Sequence, residues 1–250
     1  MHENNGFVNE KEFVFRLDGK RVGDLSNNLK YMIREIFGVY DDEEIVHSGL
    51  IDNYQKPDIF IEFRGLKKYI SLKSGNAVNV AEEKVDLFIK YLRSKGISKE
   101  SLKTILYYHF GDKTLNGTGE KRLEYHELFY LLYDRIKKLN EELNKNKQFV
   151  IDFVIRSIFK GTSEDNIEAD YIYFGNVNYG VLCSKAQIIK HIQRKSWDFM
   201  DCPHIGPLLF RPHARYVNKE IKSEKRRNTV DIYWANLFAD LTYISNRYDG

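Results

Sequence analysis

Residues 56–73 constrain this chain more than any other stretch. Lys56-Pro57-Asp58 leads into Ile59-Phe60-Ile61-Glu62-Phe63, a break follows at Arg64-Gly65-Leu66, and Tyr69-Ile70-Ser71-Leu72-Lys73 resumes the pattern. Ile59, Ile61 and Phe63 alternate as a half-buried strand requires, so the stretch predicts two short strands joined by a tight connection. Side chains two apart on a strand point to the same face, which places Ser71 beside Lys73. If the two strands pair, Asp58 at the head of the first converges on that face.

The flanking sequence predicts a mixed sheet with helices around it, an α/β fold. Glu10 to Leu17 reads as a short helix. Ser26 caps a second one in which Leu29, Ile33, Ile36 and Phe37 share a side, and Gly38 ends it. Val85, Phe88, Ile89 and Leu92 give a further helix face closed by Gly96. Asn79 to Glu83 reads as the head of that helix, and Thr104 to Phe110 as a strand. A long helix is expected within Glu120 to Asn144, while Phe149 to Phe159 is open between helix and strand and leans helical. A hairpin follows across Gly175 to Asn178, and Ser184 caps a helix to about Ile192. The last third reads as a strand at Pro207 to Phe210, a basic loop, a strand at Thr229 to Trp234, and a final segment from Leu237 to Ile244. At 250 residues this makes one compact domain, with a core over 1–160 and a region packed on it over 161–250.

Composition excludes several classes. No apolar run is long enough to span a bilayer, and Met1-His2-Glu3-Asn4-Asn5 lacks the order of a signal peptide. With only Cys183 and Cys202, a disulfide framework is not expected, and a reducing cytoplasm is the default. Cys183, Cys202, His204 and His213 lack paired zinc-ligand spacing. No Ser-His-Asp order, Walker loop or dinucleotide fingerprint is present, and His47, His109, His126 and His191 read as structural. The net charge of +3 is small, but its distribution is uneven. Arg211 to Arg227 holds seven basic and two acidic side chains, a local +5 that leaves −2 for the rest. Concentrated positive charge is the footprint of a phosphate-contacting surface.

An acid and a lysine beside a polar residue suit metal-assisted phosphodiester hydrolysis. The carboxylate holds a divalent ion, and the ammonium orients water and offsets phosphate charge. Pro57-Asp58, one hairpin of spacing and Lys73 resemble the PD-(D/E)XK nuclease superfamily. The passage from Lys73-Ser74-Gly75-Asn76 to Asn79-Val80-Ala81-Glu82-Glu83 is similar to that of the MspI-like type II restriction endonucleases. Ser71 departs from the pattern, because it stands in the slot of the second acid. A neutral Ser71 leaves the metal short of charge, so another carboxylate is needed. Glu83 is the first choice, Glu82 the next, with Glu10 and Glu62 behind them.

The resemblance implies Asp58, Ser71, Lys73 and Glu83 as catalytic residues, with Asp58 and Glu83 holding Mg2+. It implies double-stranded DNA as the partner, with Asn76 near the phosphate. Arg211, His213, Arg215, Lys219, Lys222, Lys225, Arg226 and Arg227 are the expected DNA contacts, since Arg and Lys favour guanine edges and phosphates. The implied activity is double-strand cleavage at a short palindrome by a monomer or homodimer. A nuclease of low specificity and an inactive DNA-binding protein are the alternatives.

Overall fold

The computed structural model describes residues 5–51, 56–75, 79–119, 122–162, 166–199, 202–213 and 226–248. In chain order the elements begin with α1 (Asn5–Leu17), β1 (Lys20–Arg21), a 3-10 turn (Val22–Asp24), α2 (Asn27–Phe37), β2 (Ile45–Leu50), β3 (Ile59–Phe63) and β4 (Leu66–Lys73). Next come β5 (Asn79–Lys84), α3 (Val85–Ser94), α4 (Lys99–Phe110), α5 (Tyr125–Asn144), α6 (Lys147–Val154) and a π-helical turn (Ile155–Lys160). The chain continues through β6 (Tyr171–Gly175), β7 (Gly180–Ser184), α7 (Lys185–Arg194), β8 (His204–Ile205), β9 (Leu208–Pro212), β10 (Thr229–Trp234) and α8 (Leu237–Tyr248). Two compact units divide these elements, and they interleave in sequence. The first takes residues 1–78, 155–191 and 236–250, the second residues 79–154 and 192–235.

In the first unit a six-stranded sheet runs β1-β2-β3-β4-β6-β7. The expected hairpin forms: Ile59 pairs with Ile70 and Phe63 with Leu66. Arg64 and Gly65 close it at φ 52° and 72°, the two left-handed residues of a two-residue turn whose twist matches its strands. Glycine adopts that backbone freely, whereas Arg64 is held in it by Glu44 and by the carbonyl of Val39. β4 pairs in parallel with β6, and the other neighbours are antiparallel. A parallel neighbour requires a crossover, and here that crossover contains most of the second unit.

The sheet buries one face under the N-terminal helices. Phe13 and Leu17 of α1 and Leu29, Met32 and Ile33 of α2 pack on Ile59, Ile61, Phe63, Ile70 and Leu72. Ser26 caps α2 by accepting from Leu29 N, and Gly38 ends it at φ 85°. On β7 the Cys183 thiol donates to Leu241 O, which seats α8 beside that strand, and Phe174 stacks on Phe238 with centroids 5.5 Å apart.

The second unit holds a four-stranded antiparallel sheet, β5-β10-β9-β8, with α3 to α6 against it. Phe88 of α3 meets Phe153 and Phe210, at centroid distances of 6.0 and 5.2 Å. Two expectations fail here. Residues 79–83 do not open a helix but lie in β5, which pairs with β10 from Lys84↔Thr229 to Asn79↔Tyr233. Thr104 to Phe110 is not a strand but the body of α4, whose cap Ser98 accepts from Ser101 N. Leu102, Ile105 and His109 bury one side of that helix. Among the described residues no helix is long and apolar enough to cross a membrane.

Candidate active site

Lys73 ends β4 beside the parallel strand β6, where it pairs with Phe174. The carboxyl ends of parallel strands are where open α/β sheets gather ligand-binding groups. One step beyond the Ile59↔Ile70 pair, the hairpin register sets Asp58 opposite Ser71. Asp58 N donates to Ile70 O at 2.9 Å, and its carboxylate accepts from Leu72 N at 2.5 Å. Lys73 Nζ stands 3.8 Å from the same carboxylate oxygen and donates to Leu72 O at 3.0 Å. Their side chains are 19% and 20% exposed, so the pair is sheltered from solvent screening yet open to a substrate. Ser71 is fully buried, and its hydroxyl has no hydrogen-bond partner among the described residues.

A second carboxylate, Glu10 of α1, lies near enough to feel the charges of Asp58 and Lys73. Asn9 Nδ2 donates to Gly175 O at 3.1 Å, which ties the helix to the end of β6. Burial, reinforced by the negative charge of Asp58 and opposed by Lys73, pushes the Glu10 carboxyl up to about 7. A buried acid beside the charge of Asp58, with a lysine at hand, is an arrangement that a divalent cation relieves. Hard carboxylate oxygens from Asp58 and Glu10 could hold a divalent cation.

Sequence reasoning passed over two cations. Burial, together with the positive charges of Lys73 and Arg156 and against Asp58, brings Lys56 down to about 7. Arg156 belongs to the π-helical turn, a conformation found mostly as short bulges and often at functional sites. Lys56 directly precedes Pro57-Asp58, a position that could have marked it. Nothing local could have marked Arg156. Glu62 stays with the hairpin, paired 3.3 Å from Lys67 across the strands.

The other expected residues belong to the second unit. Glu83 is buried on β5 opposite Val230, so its expected place at a helix head is not found. Its neighbour Glu82 faces Asp231 across β5 and β10, and Asp231 faces Arg211 across β10 and β9. Ligand atoms of Glu82, His213 and Asp231 lie within 4.8 Å of one another and could hold a metal ion. Asp231 is already engaged, however, by His213 Nδ1 at 2.6 Å and Arg211 Nε at 3.9 Å. Arg227 is drawn inward: its guanidinium pairs with the buried Asp112 at 2.5 Å, and His109 Nε2 donates to its carbonyl at 2.7 Å. Arg226 is exposed. Asn76, Arg215, Lys219, Lys222 and Lys225 lie outside the described residues. A cavity of about 410 Å³, walled in part by Tyr133, Trp197 and His204, shares no residue with the Asp58 centre.

No family model and no curated protein matches this chain. Among solved structures it is similar to the restriction endonuclease MspI in complex with its cognate DNA. The identity is 15% and the TM-score 0.40, over 82% of this chain and 76% of that one. A likeness of that size fixes no residue's role.

Proposed function

We propose that this chain is a metal-dependent endonuclease that cuts both strands of DNA at a short palindromic sequence. The observation that carries this reading is the gathering of Asp58, Glu10 and Lys73 at the carboxyl end of β4, beside the buried hydroxyl of Ser71. Asp58 and Glu10 would hold Mg2+. When bound, the ion supplies a Lewis acid that offsets negative charge developing on phosphorus oxygens.

The chain's own groups do the rest. The Lys73 ammonium orients the attacking water and neutralises charge on the scissile phosphate. Leu72 N fixes one oxygen of Asp58, leaving the other for the ion. Ser71 can hold water by a hydrogen bond but adds no charge, which gives Glu10 the task of the missing acid. Arg211, His213 and the basic segment that follows would hold and read the duplex. Plasmid incubated with Mg2+ tests the reading. Discrete fragments support it, a smear indicates a nuclease of low specificity, and a gel shift without cutting indicates binding alone.

Glu10→Gln is expected to raise the Mg2+ concentration for half-maximal cutting by about ten-fold or more, since Mg2+ depends on hard anionic oxygens. Ser71→Ala should change it by less than about three-fold, because a neutral hydroxyl contributes little to a cation. A magnesium titration of both variants, with Glu83→Gln alongside, decides the assignment. If Glu83→Gln carries the large rise and Glu10→Gln does not, the second carboxylate is Glu83.

A further inference from the structure

We propose that Asp231 is a positioning residue that presets Arg211 and His213, with Glu82 beside them, to recognise a G·C pair through the major groove. The inference rests on the DNA-cutting reading and adds to it the base that this sheet face would take.

Asp231 sits on β10, one of the two inner strands of its sheet, and is only 4% exposed. A buried carboxylate is costly unless partners compensate it, and Arg211 and His213 both stand against it. His213 Nδ1 lies at 2.6 Å from one oxygen and Arg211 Nε at 3.9 Å from the other. Each of these side chains turns one nitrogen inward. That leaves the two terminal nitrogens of Arg211 and Nε2 of His213 without an acceptor among the described residues. The Arg211 guanidinium also lies over the Tyr233 ring, 4.6 Å from its centroid, a cation–π contact that fixes its plane. Two independent contacts thus define a side chain that is otherwise long and mobile.

The row across the sheet supplies the chemistry of one base pair. A guanine presents two acceptors, N7 and O6, to the major groove, which the fork of an arginine matches, and its cytosine presents an amino donor that a carboxylate accepts. Arg211 and Glu82 stand on the two strands flanking Asp231, about 10 Å apart at the backbone for two strand spacings. Donors on one side and an acceptor on the other follow the G·C order. An A·T pair instead offers one acceptor and one donor on adenine, and an acceptor and a methyl group on thymine, so it has neither the paired acceptors on one purine nor the amino donor on the pyrimidine. A row built only for phosphates has no use for the half-exposed Glu82, which repels them.

Binding of the full chain to poly(dG-dC) and poly(dA-dT) duplexes, measured by fluorescence anisotropy without divalent metal, tests the proposal. Wild type is expected to prefer poly(dG-dC), and Asp231→Asn to lose about ten-fold of that preference. The salt dependence on poly(dA-dT) should be unchanged. On an Arg211→Ala background, Asp231→Asn should remove no further preference, an outcome that a merely structural role does not produce. Arg211→Ala alone, at an exposed position, carries the test if Asp231→Asn fails to fold. Retention of the full preference by either variant overturns the proposal. A wild type that binds and cuts DNA with no preference overturns this inference alone, and one that binds neither duplex overturns the DNA reading with it.

Discussion

Asp58→Ala and Lys73→Ala are each expected to slow DNA cleavage by about a hundred-fold or more, while duplex affinity stays within about two-fold of wild type. Asp58 accepts from Leu72 N and faces Lys73 at 3.8 Å, so both act at one point at the end of β4. Removing the carboxylate takes away half of the negative charge available to the metal. Removing the ammonium leaves two acids facing an anionic phosphate with less to offset them. Neither change touches Arg211, His213 or the basic segment, so binding should persist. Lys73→Arg should not restore the rate, because a planar fork cannot reproduce a compact ammonium at this spacing. Single-turnover cleavage of a plasmid, with anisotropy for binding, checks both halves. Cutting at the wild-type rate by either alanine variant removes this centre from the account.

Arg227→Ala is expected to cost about 3–5 kcal/mol of folding stability, the penalty of leaving a buried charge without its partner. Asp112 is the charge in question. Its carboxylate accepts from Thr114 N, Thr114 Oγ1 and Gly119 N and pairs with Arg227 at 2.5 Å. Burial works to raise the proton affinity of Asp112, and these hydrogen bonds together with Arg227 outweigh it, so its pKa lies below the usual carboxylate value. A depressed folded-state pKa contributes stability above the unfolded value and loses it as pH falls toward the folded one. The gap between wild type and Arg227→Ala should therefore hold steady from about pH 6 to 8 and narrow below about pH 4. Arg226→Ala, at an exposed neighbour, should change stability by less than about 0.5 kcal/mol. Denaturant unfolding of the three proteins across pH measures this. Equal stability of Arg227→Ala and wild type at pH 7 shows that the Asp112 pair does not hold this corner together.

The parts of the site legible in the sequence are those governed by local rules. The alternation of Ile59, Ile61 and Phe63 and the turn at Arg64-Gly65 are local, and they were enough to set Asp58 across from Ser71. Glu10 was visible only as a lesser candidate, because its approach to Asp58 depends on how α1 docks on the sheet. Glu83 was misplaced for a related reason. The two glutamates before an apolar run look like a helix start, but β5 exists because β10 pairs with it from 154 residues away, Tyr233 against Asn79.

Thr104 to Phe110 was misread because Thr, Ile, Tyr and Phe favour strands locally. Burial of one helical side of α4 outweighs that preference. The basic run concealed a division of labour. Charge counting treats Arg211, Arg226 and Arg227 alike, whereas Asp231 fixes the first, Asp112 captures the third, and Arg226 remains exposed. Both acids lie on strands or loops that no sequence window joins to the arginines.

The most direct measurement is end mapping of a long DNA of known sequence after digestion by the wild-type chain with Mg2+, with a chelator control. The account predicts that every end falls within one short palindrome, that the palindrome contains G·C pairs, and that the chelator abolishes cutting. Uncut DNA, or cutting that persists with the chelator present, contradicts the claim that Asp58, Glu10 and Lys73 form a metal-dependent nuclease centre.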